Sequence, residues 1–382
     1  MKKVYVCIKC LKEYPFTPTL LNCTDHSPYY GYLSVVYDYK NVSIHTNSTN
    51  LFIKYRDLLP MQNLHVSLGL QKSPLIKIDN FGDKYGFGSL YVKDESKNPT
   101  GSFKDRENVS AINIAIEYGI KKVFTVSSGN AAVSTAAFAQ KAGIQCNCIV
   151  TNTLSVGKRF LINLYGGNLI EKIASYEELY RWAIDSHYEG WNCTPGLNPI
   201  KEEGIKLIGY EIWEEMGVPD IIVVPCGNGT LLYGIYKAFK ELQLLNYVNT
   251  LPQLIGIQIK NAAPLKKALE TGSDYITLGE VHDSIAEGII ALESYSSPKV
   301  MMALKETGGT IVEVSDSEIR ESMQEIISLE SLIPEPTAAV VYAGVKKLFN
   351  VSDKKIVLVQ TAGGMKNLKE IMGLLINKGA LD

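Results

Sequence analysis

The stretch Asn98-Pro99-Thr100-Gly101-Ser102-Phe103-Lys104-Asp105-Arg106 decides how this chain is read. It follows Leu90-Tyr91-Val92-Lys93, which reads as a strand, and leads into a helical stretch reaching about Tyr118. A lysine just after a Pro/Gly turn, at a helix start, is an odd local choice, because the positive end of the helix dipole disfavours a cation there. The same field makes the neutral amine easier to reach. A lysine of depressed pKa is what a Schiff-base nucleophile needs. Taken alone, the spacing fits an exposed loop lysine at least as well.

Outward from this turn, the pattern of strand, Gly-rich loop and helix repeats. Lys122-Val123-Phe124-Thr125-Val126 reads as a strand, Ser127-Ser128-Gly129-Asn130 as a turn, and Ala131 to Ala142 as an Ala-rich helix. Ile221-Ile222-Val223-Val224 is a β-branched run of the kind buried on both faces of a sheet. Pro225-Cys226-Gly227-Asn228-Gly229-Thr230 and a helix from Leu231 follow it. Lys355-Ile356-Val357-Leu358-Val359 is another such strand, ending in Thr361-Ala362-Gly363-Gly364. The alternation predicts an α/β fold with mainly parallel sheets, whose ligands sit at the carboxyl ends of strands. All four turns follow strands and are placed to converge on one ligand.

The second and third of these turns differ in what they say alone. Gly227 and Gly229 let the backbone approach a ligand, and successive N–H groups before a helix make an anion cradle to which Thr230 adds a hydroxyl. The GKS/T ending of a nucleotide phosphate loop is absent, as are the third glycine and partnering acid of a dinucleotide fingerprint. An ordinary strand–helix turn is an equal alternative. Ser127 to Asn130, alone, is a helix N-cap turn.

Composition narrows the partners. Lys plus Arg is 38 against 40 Asp plus Glu, a net charge of −2, which gives no field for nucleic acid or membrane. Hydrophobic residues make up 46% and charged ones 20%, enough for a large core. No run approaches the ~18 apolar residues of a membrane helix. Seven cysteines, an odd number without a leader-like start, suit a reducing cytoplasm and a small-molecule partner. Residues 1–50 stand apart, holding three of the seven Cys and two of the five His.

Together the four loops resemble the pyridoxal-phosphate enzymes of fold type II (tryptophan synthase β-like), and within them the threonine synthase branch, over roughly residues 50 to 370. The 98–106 stretch is similar to that family's lysine motif almost letter for letter, and Ser284-Ile285-Ala286-Glu287-Gly288 and Glu335-Pro336-Thr337-Ala338-Ala339 also resemble family segments. The resemblance implies two α/β domains, 51–165 with the Schiff-base lysine and 166–382 with the phosphate loop, after a short Cys-containing segment, 1–50. It implies that Lys104 carries the cofactor, that Asn130 meets its ring hydroxyl, that Gly227, Asn228, Gly229 and Thr230 cradle its phosphate, and that Thr361 faces its ring nitrogen. Ser102, Ser128 and Lys201 are then the substrate contacts, and a homodimer is expected because the family commonly forms one. The implied chemistry is elimination followed by addition of water or another nucleophile, on an O-phosphorylated amino acid such as O-phosphohomoserine.

Three departures matter. Where the family has Asn-Ser-x-Asn-Pro-x-Arg-x-Glu-Gly, this chain has Pro195-Gly196-Leu197-Asn198-Pro199-Ile200-Lys201-Glu202-Glu203-Gly204. Two hydrogen-bonding side chains are gone, and Lys201 lacks the bidentate fork of an arginine. Glu107 stands where the family usually has glycine. These changes favour an altered substrate, so the alternative is an ammonia-lyase or β-replacement synthase acting on serine, threonine or O-phosphoserine. A non-catalytic binding protein that keeps the fold is a third reading.

At the N-terminus, Cys7-Ile8-Lys9-Cys10 and Cys23-Thr24-Asp25-His26 carry a C-x-x-C and a C-x-x-H. Three thiolates and an imidazole would complete a closed structural zinc site. The alternative is a metal-free remnant of the Cys-rich ribbon that threonine synthases often carry there. Cys226 reads as a packing residue beside the phosphate loop. Cys146 and Cys148 fall on one strand and are expected to face opposite sides. Lys158 and Arg159 are in reach of a substrate anion but read first as a solvated basic turn.

Overall fold

The computed structural model describes residues 2–127, 129–152 and 154–375. The β-branched run at Ile221 becomes a strand with all five residues buried, β10 of the thirteen strands below. Such a strand can satisfy its backbone only between two neighbours. It lies at the middle of a six-stranded sheet made of Leu75–Lys77 (β4), Ser89–Asp94 (β5), Ile221–Pro225 (β10), Gln253–Ile259 (β11), Thr310–Val314 (β12) and Lys355–Gln360 (β13). The order is β12-β11-β10-β13-β5-β4, parallel except where the edge strand β4 runs antiparallel to β5. Register ties function to this sheet: Gln360 at the end of β13 pairs with Asp94 at the end of β5, so the two loops that follow leave side by side.

A second, all-parallel sheet holds Lys122–Val126 (β6), Gln145–Thr151 (β7), Asn168–Lys172 (β8) and Trp191–Asn192 (β9), in the order β8-β7-β6-β9. Both sheets are α/β layers. The small sheet takes strands from both sides of residue 165, because β9 returns to pair with β6 before the chain crosses to the large sheet. The large sheet likewise draws β4 and β5 from before residue 165 and the rest from after it. Cys146 and Cys148 lie on one face of β7 with their sulfurs 3.7 Å apart. The expectation of opposite faces is thereby corrected: side chains alternate with period two, so positions i and i+2 share a face.

The helix that carries the chain between the sheets, Pro199–Met216, is buried from Pro199 to Ile212. It starts on Asn198, whose side chain accepts from the N–H of Ile200. It packs against the Lys104–Glu117 helix at Gly204, where any Cβ would overlap the carbonyl oxygen of Arg106. Glycine there is a packing requirement, and it sets the distance between the lysine helix and its neighbour.

The first fifty residues form a third sheet, antiparallel, of Lys3–Cys7 (β1), Glu13–Pro15 (β2) and Leu33–Tyr37 (β3), in the order β2-β1-β3. Its tyrosines anchor it to the rest. Tyr30 donates to Glu293 at 2.6 Å, Tyr37 to Glu203 at 2.6 Å, and Tyr39 to Glu241 at 3.1 Å. Gly31 N donates to Tyr295 O, and the Tyr295 ring stacks on Tyr180. Among the described residues no helix is long and apolar enough to cross a membrane.

Candidate active site

The residues around Lys104 hold the turn that presents it. Gly101 has φ +77°, a left-handed conformation that favours glycine. The buried Asp105 carboxylate accepts from Thr100 N and Thr100 Oγ1, both at 2.6 Å, and from Ser134 Oγ at 2.6 Å. Asn98 Nδ2 donates to Glu95 Oε2 at 2.6 Å. Arg106, fully buried, is gripped from two sides, Nε to Glu95 at 3.0 Å and both terminal nitrogens to Glu211 at 2.5 and 3.0 Å. Lys93 joins Glu211 at 2.8 Å. The motif is therefore mostly scaffold, with one residue, Lys104, left for chemistry.

Direct contacts join the other loops to this turn. Phe103 N donates to Thr361 O at 2.8 Å, and Ser102 bridges Ala362. Lys366 Nζ donates to Thr100 O at 3.1 Å and to Asn130 Oδ1 at 2.7 Å, tying in the loop after β6. Thr230 Oγ1, in the loop after β10, lies 3.5 Å from Glu107 Oε1. The four strand-end loops thus meet, as their sequence positions predict. Ser128 lies outside the described residues.

Burial pushes the Lys104 amine below the ordinary lysine range, and the nearby Lys201 charge adds to this, while Glu107 opposes it. Lys104 Nζ donates to Glu107 Oε1, one helical turn on. The other oxygen of Glu107 is 3.5 Å from Lys201 Nζ. Both Glu107 and Lys201 are fully buried. The carboxylate that replaces a glycine is thus the counter-charge for two lysines.

Pro195-Gly196 also has a physical account. Gly196 has φ +90°, and a Cβ on it would press on Tyr295 and Asn228, while a Cβ on Gly31 would overlap the Gly196 carbonyl. A side chain at position 196 would therefore be strained by its backbone and tight against Tyr295 and Asn228, and position 31 must be glycine for the Gly196 carbonyl to fit.

The residues fit the pyridoxal phosphate that the resemblance implies. Gly229 has φ +90° and its Cβ would overlap Val300, so the loop before the Thr230–Leu244 helix is backbone only at its tip. A helix start leaves its first N–H groups without helical partners, an anion site. Two buried polar atoms here, Ser102 Oγ and Asn228 Oδ1, have no hydrogen-bond partner among the described residues. Asn130 Nδ2 gives one hydrogen to Glu335 at 2.8 Å, which leaves its second free for a ring hydroxyl. Ser294 Oγ to Gly227 O at 2.6 Å, Ser296 N to Asn228 O at 3.0 Å and Asn228 Nδ2 to Tyr176 at 3.1 Å brace the phosphate loop.

Sequence reading missed Lys366, whose only local signal is its place two residues after Gly363-Gly364. It also misjudged Lys158, which is buried, not solvated, with Nζ close to Gly129. Arg159 does turn outward, to Glu171. Burial pushes the Cys226 thiol up to about 12, which suits a packing residue.

Away from this site, the ligand atoms of Cys7, Cys10, Cys23 and His26 all lie within 4.8 Å of one another. The Cys10 and Cys23 sulfurs are 3.7 Å apart, and the buried Nε2 of His26 has no hydrogen-bond partner among the described residues.

Comparison with known proteins agrees with this geometry. The family model described as pyridoxal-phosphate dependent enzyme matches residues 66–362. A threonine synthase of Methanosarcina acetivorans is 31% identical over 96% of this chain and 93% of its own. A threonine synthase of Methanocaldococcus jannaschii is 30% identical over 94% of this chain and 92% of its own. Among solved structures, maize serine racemase superposes with a TM-score of 0.68 at 21% identity, over 79% of this chain and 92% of that one, a likeness of fold.

Proposed function

The chain belongs to the pyridoxal-phosphate dependent enzymes, and from that premise we propose that it catalyses a threonine-synthase-like elimination and addition on an O-phosphorylated amino acid, O-phosphohomoserine being the first candidate. The observation that carries this reading is the meeting of four strand-end loops at one part-buried lysine of lowered pKa. Relatives named threonine synthase, matched over nearly the whole chain, support the reaction class. Bound at this site, pyridoxal phosphate supplies an electron sink for the amino acid's α-carbon.

Each residue then has a task. The N–H groups of Gly227 to Thr230 hold the cofactor's phosphate, the free Nδ2 hydrogen of Asn130 meets its ring hydroxyl, and the Thr361 hydroxyl faces its ring nitrogen. Lys104 Nζ, favoured as the neutral amine by burial, takes the substrate's α-proton. Ser102 Oγ orients the substrate. Glu107 accepts from Lys104 and fixes where its nitrogen sits.

A second reading rests on the buried Glu107–Lys201 pair, which occupies the charge that the family would direct at phosphate. It favours an ammonia-lyase or β-replacement synthase on serine, threonine or O-phosphoserine. The test is to offer O-phosphohomoserine, O-phosphoserine, threonine and serine to the cofactor-loaded enzyme, reading phosphate and keto acid together. Phosphate and threonine from O-phosphohomoserine support the first reading. Their absence, with keto acid or phosphate from another substrate, replaces it with the second.

We also propose a structural zinc ion at Cys7, Cys10, Cys23 and His26, on the donor set and the unpartnered His26 nitrogen. The purified protein should carry about one zinc per chain, and a strong chelator should lower its unfolding temperature. Metal-free protein whose unfolding is indifferent to Cys10→Ser would sink the idea. Seven free thiols suit a reducing compartment such as the cytoplasm.

A further inference from the structure

Resting on the reading of a phosphorylated substrate, we propose that Lys158 and Lys366, not Lys201, form the subsite that grips the substrate's phosphate. Lys201 is the residue that the family's pattern points to, but its side chain is fully buried and its charge is met by Glu107. A new anion reaching it would have to displace that carboxylate and leave it buried without a partner, a costly exchange.

Lys158 is in the opposite situation. It lies on the Val156–Leu164 helix, is nine-tenths buried, and its Nζ comes within 3.9 Å of where a Cβ on Gly129 would sit. Among the described residues no acceptor lies within hydrogen-bond distance of it. Its nearest carboxylate, Glu287, is 4.0 Å away and largely in solvent. The Lys158 ammonium keeps a little solvent contact, the side chain being 11% exposed, so its three hydrogens are available to an incoming anion.

Lys366 arrives at the next residue, Asn130. Its Nζ donates to two neutral oxygens, Asn130 Oδ1 and Thr100 O, and its nearest carboxylate, on Glu335, is 3.8 Å away. Burial pushes this amine down, the Glu335 and Asp105 carboxylates oppose it, and the charge of Lys158 adds a smaller push downward, so the two ammonium groups feel one another. Two like charges held together beside consecutive residues, Gly129 and Asn130, are stabilised by a shared anion. A dianionic phosphate supplies both the charge and enough acceptor oxygens. A helix-borne lysine and a lysine from the Gly364–Asn367 turn thus close over the loop after β6 from two elements.

The test uses the cofactor-loaded enzyme, so that the cofactor's own phosphate site is filled. Binding of inorganic phosphate is measured by calorimetry, and binding of serine by the change in the cofactor's visible spectrum. Lys158→Met and Lys366→Met, made separately, should each weaken phosphate by about tenfold or more while serine binding holds. Lys201→Met should leave phosphate binding within about twofold of wild type. An unchanged cofactor spectrum in each variant reports an intact site. Equal losses of phosphate and serine would assign these lysines to the α-carboxylate and overturn the proposal. So would phosphate binding that survives both substitutions, or that is lost in Lys201→Met. A wild-type holoenzyme that binds no phosphate would overturn the phosphorylated-substrate reading as well.

Discussion

Lys104→Ala should abolish the visible absorbance of the cofactor-loaded protein and cut turnover by at least about a thousandfold. The amine is the one group at the site that can both bond the cofactor and exchange a proton with the substrate. Its supports, Asp105 with Thr100 and Arg106 with Glu95, do not involve its side chain, so the variant should keep its fold. Absorbance spectra, circular dichroism and product assays decide it. A variant that retains colour and turnover would move the chemistry elsewhere. Glu107→Gln refines the point. Glu107 raises the Lys104 pKa against the burial that lowers it, so removing its charge lets the pKa fall further. The neutral amine then persists to lower pH, and the pH midpoint for cofactor capture should move down, read as absorbance regained by apoenzyme across a pH series. A midpoint that stays put or rises would separate Glu107 from the lysine's titration.

The largest loss of stability is expected from Arg106→Met, about 3–5 kcal/mol by denaturant unfolding. Its guanidinium is fully buried between Glu95 and Glu211, in a network that also holds Lys93. Removing it leaves two carboxylates facing one lysine without water. The paired variant Arg106→Met with Glu95→Gln should recover part of the loss, because the uncompensated charge is then smaller. A single variant costing under about 1 kcal/mol would show that the network relaxes or admits solvent.

Much of this was legible in the sequence because it is local. Lys122–Val126 forms as read, and the β-branched runs at Ile221 and Lys355 form buried strands one residue longer than expected at their carboxyl ends. The glycines at 101 and 229 reveal their backbone conformations through residue type alone. Glu107 could be noticed as an extra carboxylate, and helical spacing explains why it meets Lys104. Lys366, Lys158 and Glu335 were harder. Their neighbours are 236, 29 and 205 residues away in sequence, at Asn130 or Gly129, and no local pattern encodes such a meeting. Pro195-Gly196 reads in sequence as a sign of an altered substrate, whereas the structure adds a left-handed backbone at Gly196 and close approach of Tyr295 and Asn228. The same holds for Arg106, whose neighbour Gly204 is understood only when two helices are seen to cross.

The anchoring of the N-terminal sheet has a consequence for how the molecule comes into being. Tyr30, Tyr37 and Tyr39 reach acceptors 263, 166 and 202 residues further along the chain. Synthesis runs from the N-terminus, so this sheet leaves the ribosome before those acceptors do. Until Glu203, Glu241 and Glu293 have emerged, these three tyrosines lack their acceptors, and the segment has its own strand pairings to hold it. A part made early is thereby among the last to be secured, and it is secured onto the stretch around Tyr295 that braces the phosphate loop.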